Sequence, residues 1–267
     1  MPFADLGEVR LWYEETGCGE PLVFIPGWTL NLHMWDRITP LLAHRYRIIR
    51  FDPRGAGSST SDPALEYSRP ADAEDLDHLL NHLQIPKIHL VGHSKGARIA
   101  LQFAMRWPER AISVIAIGSA EPHPDGGEMA SFRPIVEAWV QRARGVAQSE
   151  GALNAVELLS KGGLFGKLRA TPEGVRQLRR SMAGYAAADL LSTRQKRSFH
   201  ARSQAAKLTM PVLFLAGEDD PFLPECRYAH GQVSASSFRV LPRCGHMAPL
   251  ERPEATAEAI LKFLGRD

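Results

Sequence analysis

Residues 88–101, Ile88-His89-Leu90-Val91-Gly92-His93-Ser94-Lys95-Gly96-Ala97-Arg98-Ile99-Ala100-Leu101, decide the fold. A short apolar run ends at Val91, a Gly-x-Ser-x-Gly turn follows, and helix-like periodicity continues from Lys95 to Arg106. A turn that tight between strand and helix strains the serine backbone and projects its hydroxyl from the sheet edge. Gly92 and Gly96 remove side chains that would collide with strand and helix. The helix starting beneath Ser94 offers unpaired N–H groups and a positive dipole end to a developing oxyanion. These common residues carry little information alone; their position after a strand gives them weight.

Further short apolar runs at 9–13, 22–25, 47–51, 112–117, 212–215 and 238–241 are mostly continuous rather than alternating. That suits strands buried on both faces of a parallel sheet. Helix-like stretches at 35–44, 71–83, 95–106 and 253–264 lie between them, so the chain reads as an α/β layer fold. The alternation stops after Ile117. Residues 121–207 hold no good strand but two helical faces: Phe132, Val136, Trp139, Val140 and Ala143, then Val175, Leu178, Met182 and Tyr185. Breaks at Gly162-Gly163 and Gly166 separate them. The expectation is an α/β core, 1–120 and 208–267, interrupted by a helical cap at 121–207.

A serine hydroxyl needs a base, and the base needs a carboxylate to orient it. Both occur downstream, each past the end of an expected strand, where an open parallel sheet gathers its site. Asp219 and Asp220 lie in Ala216-Gly217-Glu218-Asp219-Asp220-Pro221, and His246 lies in Arg243-Cys244-Gly245-His246-Met247. Glu121 and Asp125, after the strand at 112–117, are further candidates for the acid. Ordinary readings compete: a capping serine, a loop histidine, and a packed tryptophan at Trp28.

Adding Ile25-Pro26-Gly27-Trp28 and Phe51-Asp52-Pro53-Arg54-Gly55-Ala56-Gly57-Ser58-Ser59 puts five motifs in order. Over essentially its full length the chain resembles the α/β-hydrolase superfamily, capped serine esterase type. The resemblance implies a mostly parallel central sheet flanked by helices, with an α-helical cap. It implies a triad of Ser94, His246 and Asp220, because the family acid is usually the fourth residue of Gly-x-x-Asp. It maps the oxyanion donors onto the N–H groups of Trp28 and Lys95. Two positions depart from the family pattern: Pro26 stands where histidine is usual, and Lys95 where Met, Leu or Gln is common. An ammonium at a helix N-terminus is unfavourable, so Lys95 requires a nearby carboxylate. The loop Gly27-Trp28-Thr29-Leu30-Asn31 and the basic cap also resemble the pimeloyl-acyl-carrier-protein methyl ester esterase family, whose substrate is tethered to an acidic carrier protein.

The expected activity is hydrolysis of a carboxylic ester through an acyl-enzyme intermediate, with no cofactor and no metal. A serine nucleophile argues against the haloalkane dehalogenase and epoxide hydrolase branches, which resemble this chain but use Asp there. The same triad serves C–C bond hydrolases and enol-lactonases, and a small-molecule receptor with slow turnover is the non-enzyme alternative. Trp28, Trp139, Phe165, Met182 and Tyr185, with Phe132, are the expected apolar lining. His78 and His82 are four apart on a helix, but Leu79 stands where a zinc protease needs Glu, so they read as a surface face. Gly55-Ala56-Gly57-Ser58 lacks a P-loop lysine and reads as a turn, and Cys244 as a small buried residue.

The 267 residues are 44% hydrophobic, an ordinary globular composition. Lys+Arg 32 against Asp+Glu 30 leaves +2, which gives no warrant for nucleic-acid binding. Three cysteines are too few for a disulfide framework or a zinc site. No run approaches the ~18 apolar residues of a membrane span. The opening Met1-Pro2-Phe3-Ala4-Asp5 has no signal-peptide character, so the expected location is the cytoplasm. Charge is uneven: residues 121–207 hold 14 basic and 8 acidic residues, a net +6 that leaves −4 elsewhere. Arg176, Arg179 and Arg180 share one helix face. The ordinary reading is a solvated face; the sharper one is an acidic partner or substrate steered to the cap.

Overall fold

Successive residues of the central strands point to opposite faces of one sheet. Leu22, Phe24, Val91, Ile115 and Leu213 join one apolar cluster, while Val23, Ile25, Leu90, Val114 and Val212 join the other. Burial on both faces is why these strands read as continuous apolar runs. The computed structural model describes residues 3–120, 133–194 and 208–265. Its strands are β1 (Phe3–Asp5), β2 (Arg10–Thr16), β3 (Glu20–Ile25), β4 (Tyr46–Phe51), β5 (Ile88–His93), β6 (Ala111–Ile117), β7 (Val212–Gly217) and β8 (Ser236–Leu241). They form one sheet in the order β1-β2-β4-β3-β5-β6-β7-β8. The pairings of β1 with β2 and of β2 with β4 are antiparallel, and the rest are parallel.

Helices α1 (Thr39–Leu42), α2 (Arg69–His82) and α3 (Lys95–Arg106) precede β6. The cap lies between β6 and β7 and comprises α4 (Arg133–Glu150), α5 (Ala152–Ser160), α6 (Gly166–Arg169), α7 (Pro172–Met182) and α8 (Ala188–Leu191). Helices α9 (Leu223–Gln232), α10 (Ala248–Glu251) and α11 (Pro253–Phe263) complete the order. Residues of α2, α3 and α9 cover one face of the sheet. Residues of α1, α10, α11 and the cap cover the other. Among the described residues, no helix is long and apolar enough to cross a membrane.

Three elements differ from expectation. The single helix expected at 35–44 is split into a 3-10 turn, Leu32–Trp35, and α1. Pro40 can occupy only the first turn of a helix, because it lacks an N–H and its ring clashes with the preceding turn. Strand β1 is too short to show a period, and α9 mixes Pro224, Gly231 and polar residues without a clean stripe. Tyr185, expected on the same helical face as Met182, lies past the end of α7. Phe132, Glu121, Asp125 and both ends of the expected cap lie outside the described residues.

Helix α7 begins with Thr171 accepting the Gly174 amide at 3.0 Å and Pro172 in its first turn. Its C-terminal end is fastened to the core by Asn31. The Asn31 amide donates to Ser181 O at 2.7 Å, and its side-chain Nδ2 donates to Arg180 O and Ala183 O at 3.0 Å each.

Candidate active site

At the β5–α3 junction Ser94 adopts φ 54°, ψ −116°. Its amide donates to Ile117 O at 2.8 Å, so the sheet holds it from one side. An added Cβ on Gly92 would lie 2.2 Å from Gly96 O, and one on Gly96 would lie 2.2 Å from Ile25 O. Only glycine permits strand and helix to approach that closely. Ser94 occupies the N-cap position of α3, yet its side chain makes no capping bond. The hydroxyl is left for His246.

Ser94 Oγ faces His246 Nε2 at 3.1 Å, and His246 Nδ1 faces Asp220 Oδ1 at 3.0 Å. The His246 and Asp220 side chains are both buried. A carboxylate only accepts, so Nδ1 carries the hydrogen and the Nε2 lone pair is left for the serine proton. Asp220 Oδ1 also accepts the Phe222 amide at 2.9 Å. Asp219 is exposed and pairs with Lys167 of α6 instead.

Lys95 directly follows Ser94, Trp28 and Lys95 line the same small cavity, and among the described residues no acceptor takes the main-chain amide of either. The ammonium of Lys95 lies 2.8 Å from Asp72, a buried carboxylate in the first turn of α2. This is the carboxylate that Lys95 requires. Asp52 organises the loop after β4: it accepts the amides of Leu32 at 2.9 Å and Ser58 at 2.8 Å, and burial raises its carboxyl pKa.

Two residues that sequence reasoning did not single out brace the histidine loop. Glu251 accepts the amides on either side of His246, from Gly245 at 2.5 Å and Met247 at 3.1 Å. His93 Nε2 lies 2.8 Å from the His246 carbonyl oxygen, which can only accept, so this nitrogen carries the hydrogen. Burial and the neighbouring His246 hold the His93 pKa down to about 3. No local pattern announces a contact made across the fold.

Trp28 is half-buried and meets Trp139 and Tyr185 edge-on, with ring centroids 5.9 and 6.5 Å apart. Its indole N–H donates to Asp189 Oδ2 at 2.6 Å, and Tyr185 OH donates to Asp189 Oδ1 at 2.6 Å. Burial and the Asp189 charge push the Tyr185 pKa up, so the phenol stays a donor. A cavity of about 20 Å³ beside this loop is lined by Trp28, Thr29, Arg54, Lys95, Tyr185 and Asp189, among others. A larger groove of about 570 Å³ runs along the cap past Leu178, Met182, Tyr185, Lys161 and Arg179. Of the expected lining residues, Trp28, Trp139 and Tyr185 come together, and Met182 lies in the groove. Phe165 is buried in the apolar cluster and lines neither space.

The arginine face is partly committed within the chain. Arg180 Nε pairs with Asp36 at 2.9 Å, and Arg176 Nε donates to Glu173 at 3.1 Å. Arg179 lines the groove. His78 and His82 are exposed on α2. Cys244 is buried, and burial pushes its thiol pKa up to about 12.

The family profile described as the alpha/beta hydrolase fold matches residues 20–253. A 2-hydroxy-6-oxo-6-(2'-aminophenyl)hexa-2,4-dienoic acid hydrolase of Metapseudomonas resinovorans is 28% identical, covering 99% of this chain and 90% of its own. A pimeloyl-[acyl-carrier protein] methyl ester esterase of Aeromonas hydrophila subsp. hydrophila is 28% identical, covering 94% and 98%. Among solved structures, a thermophilic esterase from Thermogutta terrifontis superposes with a TM-score of 0.76 at 28% identity, covering 97% and 94%. The sequence match spans the elbow, the acid and the histidine, and the sheet delivers all three to one place. On both grounds the chain belongs to the alpha/beta hydrolase fold family.

Proposed function

We propose that this protein hydrolyses a small carboxylic ester through an acyl-enzyme formed on Ser94. The observation that carries the reading is the continuous contact from Ser94 Oγ through His246 to buried Asp220. Ser94 Oγ attacks the acyl carbonyl while His246 Nε2 takes its proton, and Asp220 stabilises the imidazolium. The amides of Trp28 and Lys95 stabilise the tetrahedral oxyanion. Collapse breaks the ester C–O bond, and His246 returns the proton to the leaving alcohol. His246 then deprotonates water, which attacks the acyl carbon and releases the carboxylic acid and free Ser94.

Residues 121–207 act as the cap of this core, which comprises 1–120 and 208–267. Trp28, Trp139, Met182 and Tyr185 shape the apolar side of the substrate space, while Phe165 packs inside the apolar cluster. The cap's net +6 and the likeness to the Aeromonas esterase support an acidic carrier protein as the vehicle of the natural substrate. Three unpaired cysteines suit a cytoplasmic location.

Likeness to the Metapseudomonas dienoic acid hydrolase favours a second reading, hydrolysis of a C–C bond beside a carbonyl. Parallel assays on p-nitrophenyl esters and on a 2-hydroxy-6-oxo-dienoic acid, each with Ser94→Ala as control, separate the two. Serine-dependent turnover confined to the esters is the expected result. Preference for the dienoic acid installs the second reading, and stoichiometric binding without turnover of either installs a receptor.

A further inference from the structure

Asp189 has no part in the triad, yet it holds the side chain of an oxyanion-loop residue. Its two oxygens are separately engaged, one by the Trp28 indole N–H and one by the Tyr185 hydroxyl, each at 2.6 Å. Strain sits beside both ends of the Trp28–Asp189 bond. Thr29, the residue after Trp28, lies at φ 68°, where a β-branched side chain crowds its own backbone. The Thr29 hydroxyl is buried and, among the described residues, has no hydrogen-bond partner, so it returns nothing for that conformation. Ala187, two residues before Asp189 and fully buried, lies at φ 56°. Such conformations persist only where surrounding structure over-determines them. The cap backbone is also seated directly on the core: a Cβ at Gly184 would lie 2.3 Å from Gly57 O.

We propose that Asp189 is a positioning residue for the oxyanion hole. Through the Trp28 indole it holds the strained Trp28–Thr29 turn in the form that leaves the Trp28 amide unpaired, so seating the cap and completing the hole are one event. The inference rests on the ester-hydrolase reading above. An oxyanion donor is effective only when it is aimed before the charge develops, and a misplacement of about 1 Å can cost ~10²-fold in rate. Removing Asp189 therefore weakens binding of the transition state and leaves binding of the ground-state ester unchanged.

The test compares wild type, Asp189→Ala, Asp189→Asn, Trp28→Phe and the Asp189→Ala/Trp28→Phe double variant on one small p-nitrophenyl ester. It reads kcat, KM, affinity for a boronic acid transition-state analogue, and the thermal midpoint. Asp189→Ala should lower kcat ~10–100-fold and weaken the boronic acid in parallel, with KM within about twofold; Trp28→Phe, which also trims the substrate space, should lose kcat and boronic acid affinity to the same degree whatever its KM does. The double variant should be no slower than the slower single, because the Trp28–Asp189 bond is lost in both singles and only Asp189→Ala also releases Tyr185. Asp189→Asn, whose carbonyl oxygen can still accept from Trp28, should recover most of kcat. If Asp189 only anchors the cap, the thermal midpoint or KM moves while kcat stays at the wild-type value, and the proposal is overturned. If Asp189→Ala does not fold, Trp28→Phe decides alone, since it keeps an aromatic ring and the main-chain amide while removing the indole N–H; wild-type kcat there also overturns it. Ser94→Ala, run in parallel, separates the two levels. Turnover surviving in Ser94→Ala sinks the ester-hydrolase reading, whereas loss there with wild-type kcat in the other variants sinks the Asp189 inference alone.

Discussion

At Ser94 a side-chain-bearing residue holds φ 54°, a conformation that costs of order 1–3 kcal/mol. The adjoining Gly92 and Gly96 make the turn geometrically available, and the Ser94–Ile117 hydrogen bond fixes it. Ser94, His246 and Asp220 were legible because each sits in a local motif whose spacing survives in the linear chain. The carboxylate under Lys95, the Glu251 brace and the Asp189 contact were not, since each is made by residues distant in sequence. The choice of Asp220 over Asp219 has a kinetic consequence: Asp220→Asn should lower kcat by ~10³–10⁴-fold, and Asp219→Asn should leave it near wild type. His93 carries a thermodynamic one. Its folded pKa of about 3 lies below the ordinary 6.5, so between those values the unfolded chain binds the proton and the folded chain does not. Stability contributed by this neutral histidine is therefore full above pH 6.5 and is lost as pH falls, at up to about 1.4 kcal/mol per pH unit. Thermal midpoints measured from neutral pH downward should fall less steeply for His93→Gln than for wild type; parallel slopes would refute the assignment.

Among the elements, the central strands and α3 were legible as doubly buried runs and a periodic helix. Helix α1 was misread because Pro40 restarts the helix, a local veto that an apolar count over 35–44 does not register. Tyr185 was misread for the opposite reason: it keeps helical spacing from Met182 after the helix has stopped. That end of α7 is fixed by Asn31, which spends its side-chain amide on Arg180 O and Ala183 O. Asn31→Ala removes the side-chain donor to the Ala183 carbonyl and leaves Arg180 O only the Ala183 amide at 3.3 Å, a loss of about 1–3 kcal/mol that should lower the thermal midpoint. Arg180→Gln should change it little, because its pair with Asp36 is largely exposed and such pairs contribute about 0–1 kcal/mol. Equal losses in the two variants would contradict this account of the seam.

For the whole molecule, a net charge of +2 conceals a cap of +6. The structure narrows what that surplus can do, because Arg180 and Arg176 already face Asp36 and Glu173. On the proposed reading, Arg179, in the groove with Arg169 and the paired Lys161 and Glu157, is the better focus for an acidic partner. If carrier-bound substrate is steered there, its kcat/KM should fall steeply with salt, since exposed attraction is screened beyond ~10 Å at 0.1 M. Arg179→Gln should weaken the same parameter and spare small neutral esters. The same salt dependence for both substrates would return the arginines to a solvated helix face.

The triad geometry requires that Ser94 be acylated during turnover. The direct measurement is mass spectrometry of protein quenched during turnover of p-nitrophenyl acetate, followed by peptide mapping. One acetyl group should appear on the peptide containing Ser94, and Ser94→Ala should show neither adduct nor turnover. Ester hydrolysis at the wild-type rate by Ser94→Ala, or an acetyl group mapped to another residue on the turnover timescale, would contradict the account.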